Sequence, residues 1–293
     1  HNVNADLIET AITPKTKAIM LAHTLGNPYN LKKVKELCDK YNLWLVEDCC
    51  DALGAKYYEK HVGTFGDIAT CSFYPAHHIT MGEGGAVFSN SSELITIAES
   101  FRDWGRDCYC DPGCDNTCEK RFEQKLGDLP QGYDHKYTYS HLGYNLKISD
   151  MQAACGLAQL ERLSEFIKKR NENFAYLKNK LSSLTEFIDL PEATQNSTPS
   201  WFGFPITLKE SINRVEFTQY LDNNKIGTRL LFAGNLTKQP YFQDVEYRIS
   251  GDLVNTDITM SQTLWLGVYP ALGEAQLDFI AKIMTDFFKK YRK

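Results

Sequence analysis

No apolar run in the 293 residues approaches the ~20 that a membrane-spanning helix requires, which argues against a span of that kind. The opening stretch HNVNADLIET is polar and has no apolar segment of the signal-peptide type, so a secreted scaffold stapled by disulfides is not expected. There is no basic excess either. With 32 Lys+Arg against 37 Asp+Glu the net charge is −5, which gives no electrostatic footprint for nucleic acid. Internal repeats and low-complexity segments are not evident. An initiator Met is missing, and the chain reads as a fragment or a processed form. What remains is an ordinary globular composition, 43% hydrophobic and 24% charged, long enough for a large core and for two domains. Nine cysteines are many for such a chain, and Cys108, Cys110, Cys114 and Cys118 crowd into eleven residues. That density asks for a metal or for reactive thiols.

The first half alternates strand-like and helical patterns. AIMLA (18–22) reads as a buried strand, Leu31, Val34, Leu37, Cys38 and Tyr41 recur at helical spacing, and LWLVED (43–48) reads as the next strand. Strand, helix and strand within about 30 residues predict a βαβ crossover in a mainly parallel sheet. Strands continue at 67–74 and 85–90, followed by a loop-rich insert at 105–140 that contains the cysteine cluster. A long helix is expected from about Ile148, N-capped by Ser149, with Met151, Cys155, Ala158, Leu163 and Ile167 near one face. A surface loop at 192–200, a strand at 202–207, a helix near 213–224, a strand at 228–232 and a final helix follow. That last helix carries Leu277, Ile280, Met284, Phe287 and Tyr291 at core spacing. Residues 1–160 thus form part of a larger α/β domain, and 161–293 a smaller one. Cys38, Cys71 and Cys155 lie in apolar contexts and are expected in the core.

The chemistry concentrates where strands end. In open α/β sheets ligands bind outside the carboxyl ends of the strands. Asp48 ends the strand LWLVED and can pair with a protonated ring nitrogen; a turn or N-cap Asp is the plainer alternative. The stretch SFYPAHHITMGEGGAV (72–87) joins a strand to a glycine-rich exit, a possible phosphate-binding turn or simply a tight loop. It contains two histidines and no lysine.

VEDCCDALGAKY, GDIATCSFYPAHH, GEGGAVFSN and HLGYNLKISDMQAACGLAQL together resemble the DegT/DnrJ/EryC1/StrS sugar aminotransferases, over nearly the whole chain. The resemblance implies an α/β chain of the aspartate aminotransferase fold type, using pyridoxal or pyridoxamine phosphate. It implies that Asp48 pairs with the pyridine nitrogen and that Ser72 helps hold the phosphate. It also implies that Asn145 reaches the cofactor of a neighbouring subunit, hence a homodimer with shared sites. Asp51 stands where related transaminases commonly carry Gln or His beside the ring, and Tyr74 is placed to meet cofactor or substrate; a turn Asp and a packed Tyr are the alternatives. Family transaminases tether the cofactor through a lysine at the position of His77. Imidazole cannot make that link, but with an ordinary pKa of about 6.5 it suits proton transfer near neutrality. His78 is the alternative active group. A long N-terminal segment of the family is absent, implying an N-terminally truncated chain.

A subgroup with this substitution removes the C3 hydroxyl of nucleotide-linked 4-keto-6-deoxy sugars. Its iron-containing branch, which the resemblance points to, uses a CDP-linked 4-keto-6-deoxyglucose and holds a [2Fe–2S] cluster through Cys-x57-Cys-x-Cys-x7-Cys. Here the same gaps separate Cys50, Cys108, Cys110 and Cys118. Structural zinc is the rival, although no CxxC pair occurs, and Cys114 could replace Cys50 as the fourth ligand. By resemblance the partners are a nucleotide-sugar substrate and a flavin-dependent reductase that supplies electrons. The setting is cytoplasmic synthesis of 3,6-dideoxysugars for lipopolysaccharide O-antigen. The alternatives are an iron-free 3-dehydratase, an ordinary aminotransferase and a non-catalytic zinc-stapled binding protein. Arg229 is a candidate for the nucleotide phosphates, with a surface arginine as the plainer reading.

Overall fold

The computed structural model describes residues 1–110 and 113–291. Its first sheet has the order β1 (Ala18–Ala22), β2 (Trp44–Asp48), β3 (Ile68–Ser72), β4 (Gly85–Phe88). β1, β2 and β3 run parallel, and β4 pairs antiparallel with β3. α1 (Leu31–Tyr41) makes the expected crossover between β1 and β2. Asn30 caps it by accepting from Lys33 N, and Asn42 ends it in the left-handed conformation. Its Leu31, Val34, Leu37 and Cys38 are buried, and Leu31, Val34 and Cys38 share one core with Leu45, Cys49, Ala69 and Cys71. The register aligns Ala22 with Asp48 and Asp48 with Thr70, so the carboxyl ends of three strands open at one edge.

Beyond β4, α2 (Ser92–Arg102) leads into the cysteine-bearing loop. The single long helix expected from 148 is two helices, α3 (Asp150–Leu160) and α4 (Leu163–Lys180), with Glu161 and Arg162 between them. Ser149 does cap α3, in a capping box with Gln152. The apolar stripe of α3 is not core: Met151, Leu157, Leu160 and Cys155 are exposed, which corrects the placement of Cys155. An apolar spacing fixes which side chains share a face, not what lies against that face.

The second sheet is antiparallel, in the order β7 (Thr228–Leu230), β8 (Thr263–Gly267), β6 (Gly203–Leu208), β5 (Ile188–Asp189). α4, α5 (Arg214–Asn223) and α6 (Glu274–Phe288) contribute Phe174, Leu177, Phe217, Leu221, Met284 and Phe287 to a separate core with Phe204, Ile206, Leu264 and Leu266. A small third cluster, Leu25, Phe202 and Leu231, fastens the turn after β1 to the entrance of β6. There the backbones nearly touch. Ser200 N donates to Gly26 O and Phe202 N to Leu25 O, and a Cβ on Gly26 would lie 1.8 Å from Ser200 O. With φ at +87°, only glycine fits that crossing.

Candidate active site

Asp48 stands at the last position of β2, and its Oδ1 accepts from Cys50 N at 3.0 Å. The turn reading and the strand-end placement therefore hold together. The chain then turns through Cys49 and Cys50 to Asp51, whose side chain is only 12% exposed. Burial pushes the Asp51 carboxyl up to about 7, against the pull of a hydrogen bond from the Leu25 backbone.

Ser72 ends β3, and its Oγ accepts from Tyr74 N at 3.2 Å. The loop then folds back, with His77 N donating to Tyr74 O, and brings the His77 ring over Asp51. His77 Nδ1 comes within 3.4 Å of Asp51 Oδ1 without hydrogen-bond alignment, and it is buried with no hydrogen-bond partner. The imidazole stacks on Phe202 at 5.2 Å and meets Tyr74 edge-on at 6.2 Å. Burial lowers its pKa; the nearby charge of Asp48 opposes this and that of Arg170 reinforces it.

His78 has a different environment. Its Nε2 lies 3.0 Å from Ser200 O and 2.9 Å from Ser200 Oγ, both buried. Burial drags its pKa down to about 3. This ring is a neutral brace between two loops; its Nδ1, like that of His77, has no hydrogen-bond partner, but it is the His77 nitrogen that faces Asp51.

The structure thus gathers Asp48, Asp51, Ser72, Tyr74 and His77 at one strand edge. Asn145 stands apart, exposed, in a bridge to Asp103. Arg229 is exposed and makes only a local bond to Thr228 O. Sequence reasoning missed Phe202, Ser200 and Arg170, which lie more than 90 residues from the histidines. Phe202 was legible only as one more apolar residue entering a strand.

A pyridoxamine phosphate fits this edge on the chemistry of its donors: a strand-end carboxylate for the ring nitrogen, a hydroxyl for the phosphate, and a buried imidazole nitrogen without a partner.

The cysteines divide. Cys108, Cys110 and Cys118 line one cavity of about 180 Å³ with Arg106, His135 and Lys147. A hydrogen bond from Thr117, together with the Cys118 backbone N–H, brings the Cys110 thiol down to about 6, which suits a metal ligand. Cys114 is exposed and is not among the described residues lining this cavity. Cys50 sits at the end of β2, its Sγ 3.8 Å from Thr70 Oγ1, and burial with the neighbouring Asp48 pushes it up to about 12. Three of the four expected ligands therefore line one cavity, without all three sulfurs lying within 4.8 Å of one another, and the fourth stands just beyond the end of β2.

Among the described residues, the compact donor group of His23, Glu47 and Cys49 is fully buried. Its carboxylate is spent on the backbone N–H groups of Gly63, Phe65 and Gly66 and on His23. That saturation marks a structural brace rather than a metal centre.

Residues 1–285 match the DegT/DnrJ/EryC1/StrS aminotransferase family. The lipopolysaccharide biosynthesis protein RfbH of Salmonella typhimurium (strain LT2) is 68% identical over 290 residues, 98% of this chain and 66% of RfbH. The dTDP-4-dehydro-2,6-dideoxy-D-glucose 3-dehydratase of Saccharopolyspora spinosa is 51% identical over 292 residues, 99% of this chain and 63% of that protein. The chain thus spans slightly less than two thirds of the length of these relatives. Among solved structures, the E. coli GDP-4-keto-6-deoxy-D-mannose-3-dehydratase with bound hydrated PLP superposes with a TM-score of 0.83 at 25% identity, covering 96% of this chain and 70% of that one.

Proposed function

The chain belongs to the DegT/DnrJ/EryC1/StrS aminotransferase family, and on that premise we propose that it serves C3 dehydration and deoxygenation of a nucleotide-linked 4-keto-6-deoxyhexose, CDP-4-keto-6-deoxy-D-glucose, in lipopolysaccharide dideoxysugar synthesis. The observation that carries this reading is His77: an imidazole with an unpartnered nitrogen faces Asp51 in a loop without lysine. The relatives support the reaction class, since one is a lipopolysaccharide biosynthesis protein and two are nucleotide-sugar 3-dehydratases.

When bound, pyridoxamine phosphate supplies an amine for the C4 ketone and an electron-accepting ring. Asp48 keeps the ring nitrogen protonated, and Ser72 binds the phosphate. His77 would take a proton at the cofactor's C4′ carbon and deliver one to the departing C3 hydroxyl. Phe202 covers one face of the imidazole and keeps water from it. Cys108, Cys110 and Cys118, with Cys50 as the fourth, would hold a [2Fe–2S] cluster, which would supply single electrons for the reductive half from a flavin-dependent reductase. Asn145, exposed and away from Asp48, belongs in this reading to the site of a second subunit of a homodimer. The division at 1–160 and 161–293 is also part of the proposal, supported by the separate cores and the helix break at Glu161 and Arg162. No helix of the described residues is long and apolar enough to cross a membrane, and we place the reaction in the cytoplasm.

The position of Cys50 favours a second reading, an iron-free 3-dehydratase that stops after dehydration. Iron content and the EPR spectrum of anaerobically purified full-length protein, set beside its turnover of the keto-sugar nucleotide, test both. Iron with a reductase-dependent deoxy product supports the first reading. Dehydration without iron supports the second, and no turnover of a 4-keto sugar nucleotide overturns both.

A further inference from the structure

α4 places one cation deep beside the histidine loop. Arg170 is only 5% exposed, and no carboxylate among the described residues pairs with it. Its Nη1 donates to Phe202 O at 3.0 Å, its Cζ lies 5.6 Å from the Phe202 ring centre, and its Nε has no partner. A buried cation with no anion and an idle donor is costly, and for packing alone an aliphatic side chain would serve better. What Arg170 holds is the residue on which His77 stacks. The same short segment, Ser200 to Phe202, takes His78 Nε2 at Ser200 and the His77 ring at Phe202.

We infer that Arg170 is a positioning residue for His77: by anchoring the Phe202 carbonyl and backing its ring, it fixes the plane against which the imidazole rests. The fork geometry of a guanidinium allows one group to do both. The catalytic meaning of this contact rests on the function proposed above, but the contact itself does not. Arg170 stays charged, burial having lowered it only to about 10. It faces an imidazole that also meets Asp48 and Asp51 from the end of β2, Tyr74 and His78 on its own loop, and uncharged Phe202. Of these groups, Arg170 opposes protonation of His77 and Asp48 favours it.

The test is a proton NMR titration of His77 in the cofactor-free chain, with ring-to-ring Overhauser contacts to Phe202, in the parent and in Arg170→Gln and Arg170→Lys. Arg170→Gln is expected to weaken the His77–Phe202 contact and move the His77 titration to higher pH. Arg170→Lys, which keeps the charge and one donor, should restore the titration. An unchanged His77–Phe202 contact in folded Arg170→Gln would overturn the inference even if the titration moves, since loss of the charge alone moves it. If that variant does not fold, the parent decides. A slowly rotating Arg170 guanidinium with contacts to the Phe202 ring is expected, and a freely rotating one without them would refute the assignment. A weakened His77–Phe202 contact in a protein that turns over no keto-sugar nucleotide leaves this inference standing and removes the proposed function instead.

Discussion

His77 Nδ1 and Asp51 Oδ1 stand 3.4 Å apart, both largely shielded from solvent, and misaligned for a hydrogen bond. A simple ion pair would raise the imidazole and lower the carboxyl. The opposite holds, because burial lowers His77 and lifts Asp51 to about 7. Burial therefore wins over mutual attraction, disfavouring the charged form of both groups.

That has a stability signature. A carboxyl whose folded pKa lies above its ordinary 3.8 contributes stability that is complete below that value and lost as pH rises through about 7. Asp51→Asn removes the penalty. The variant should equal the parent near pH 4 and exceed it above pH 7 by a few kcal/mol, because each tenfold change in proton affinity on folding is worth roughly 1.4 kcal/mol. Urea unfolding at the two pH values measures it. His77 works the other way, its lowered pKa costing stability as pH falls below 6.5. Asp51→Asn combined with His77→Asn should flatten both limbs.

The two histidines should separate cleanly in kinetics. His77→Asn is expected to keep pyridoxamine phosphate binding while lowering single-turnover dehydration by ~100-fold or more. His78→Gln loses the bonds to Ser200 and should cost about 1–3 kcal/mol of stability. Its pH–rate profile should keep the parent shape, because a group with a pKa of about 3 does not titrate near neutrality. Single-turnover rates from pH 5.5 to 9 distinguish them. A flattened profile for His78→Gln, with His77→Asn active, would reverse the assignment.

The roles given to Asp48, Ser72 and His77 came from the family resemblance, whereas the strand-end positions of Asp48 and Ser72 were legible because the apolar runs of their strands are local signals. The βαβ crossover was legible for the same reason, since α1 carries its own stripe and caps. Phe202, Ser200 and Arg170 were not, because their meaning comes from a crossing of backbones at Gly26 and a helix packed from the other half of the chain. No periodicity encodes a contact over more than 100 residues. The stripe begun by Met151, Cys155 and Ala158, all exposed, misled for a related reason: amphipathic spacing is visible in sequence, while the presence of something to bury it is not. Matching gaps between cysteines likewise gave an order along the chain but not the distance from Cys50 to the loop thiols.

Glu47, one residue before Asp48, is expected to hold the site edge in place. Burial alone would raise its pKa. The hydrogen bond from His23 and those from Gly63 and Gly66 outweigh burial and keep it below the ordinary 4.5. Its stabilising effect is therefore present above that value and fades as pH falls below it. Glu47→Gln turns an amide toward backbone N–H donors that need acceptors, and should cost about 2–4 kcal/mol at pH 7. The loss should shrink at pH 3 to 4, as seen by thermal melts at both values. Equal losses at the two pH values would show that the carboxylate charge is irrelevant.

Cys50 supplies the sharpest test of the iron reading. Its thiol is half-buried beside Asp48 and pushed up to about 12, whereas Cys110 is drawn down to about 6 in the loop. A ligand set that combines the two must release a reluctant proton at Cys50, which only a bound metal compensates. Cys108→Ser and Cys50→Ser should each lose iron and the EPR signal after anaerobic purification while sparing the dehydration half-reaction. Cys114→Ser, altering an exposed thiol, should retain both iron and signal. Iron loading of the parent should also fall as the reconstitution pH is lowered from 8 to 6, since every ligand thiol has to ionise. Full iron in Cys50→Ser together with loss in Cys114→Ser would move the fourth ligand into the loop and detach the cluster from the cofactor edge.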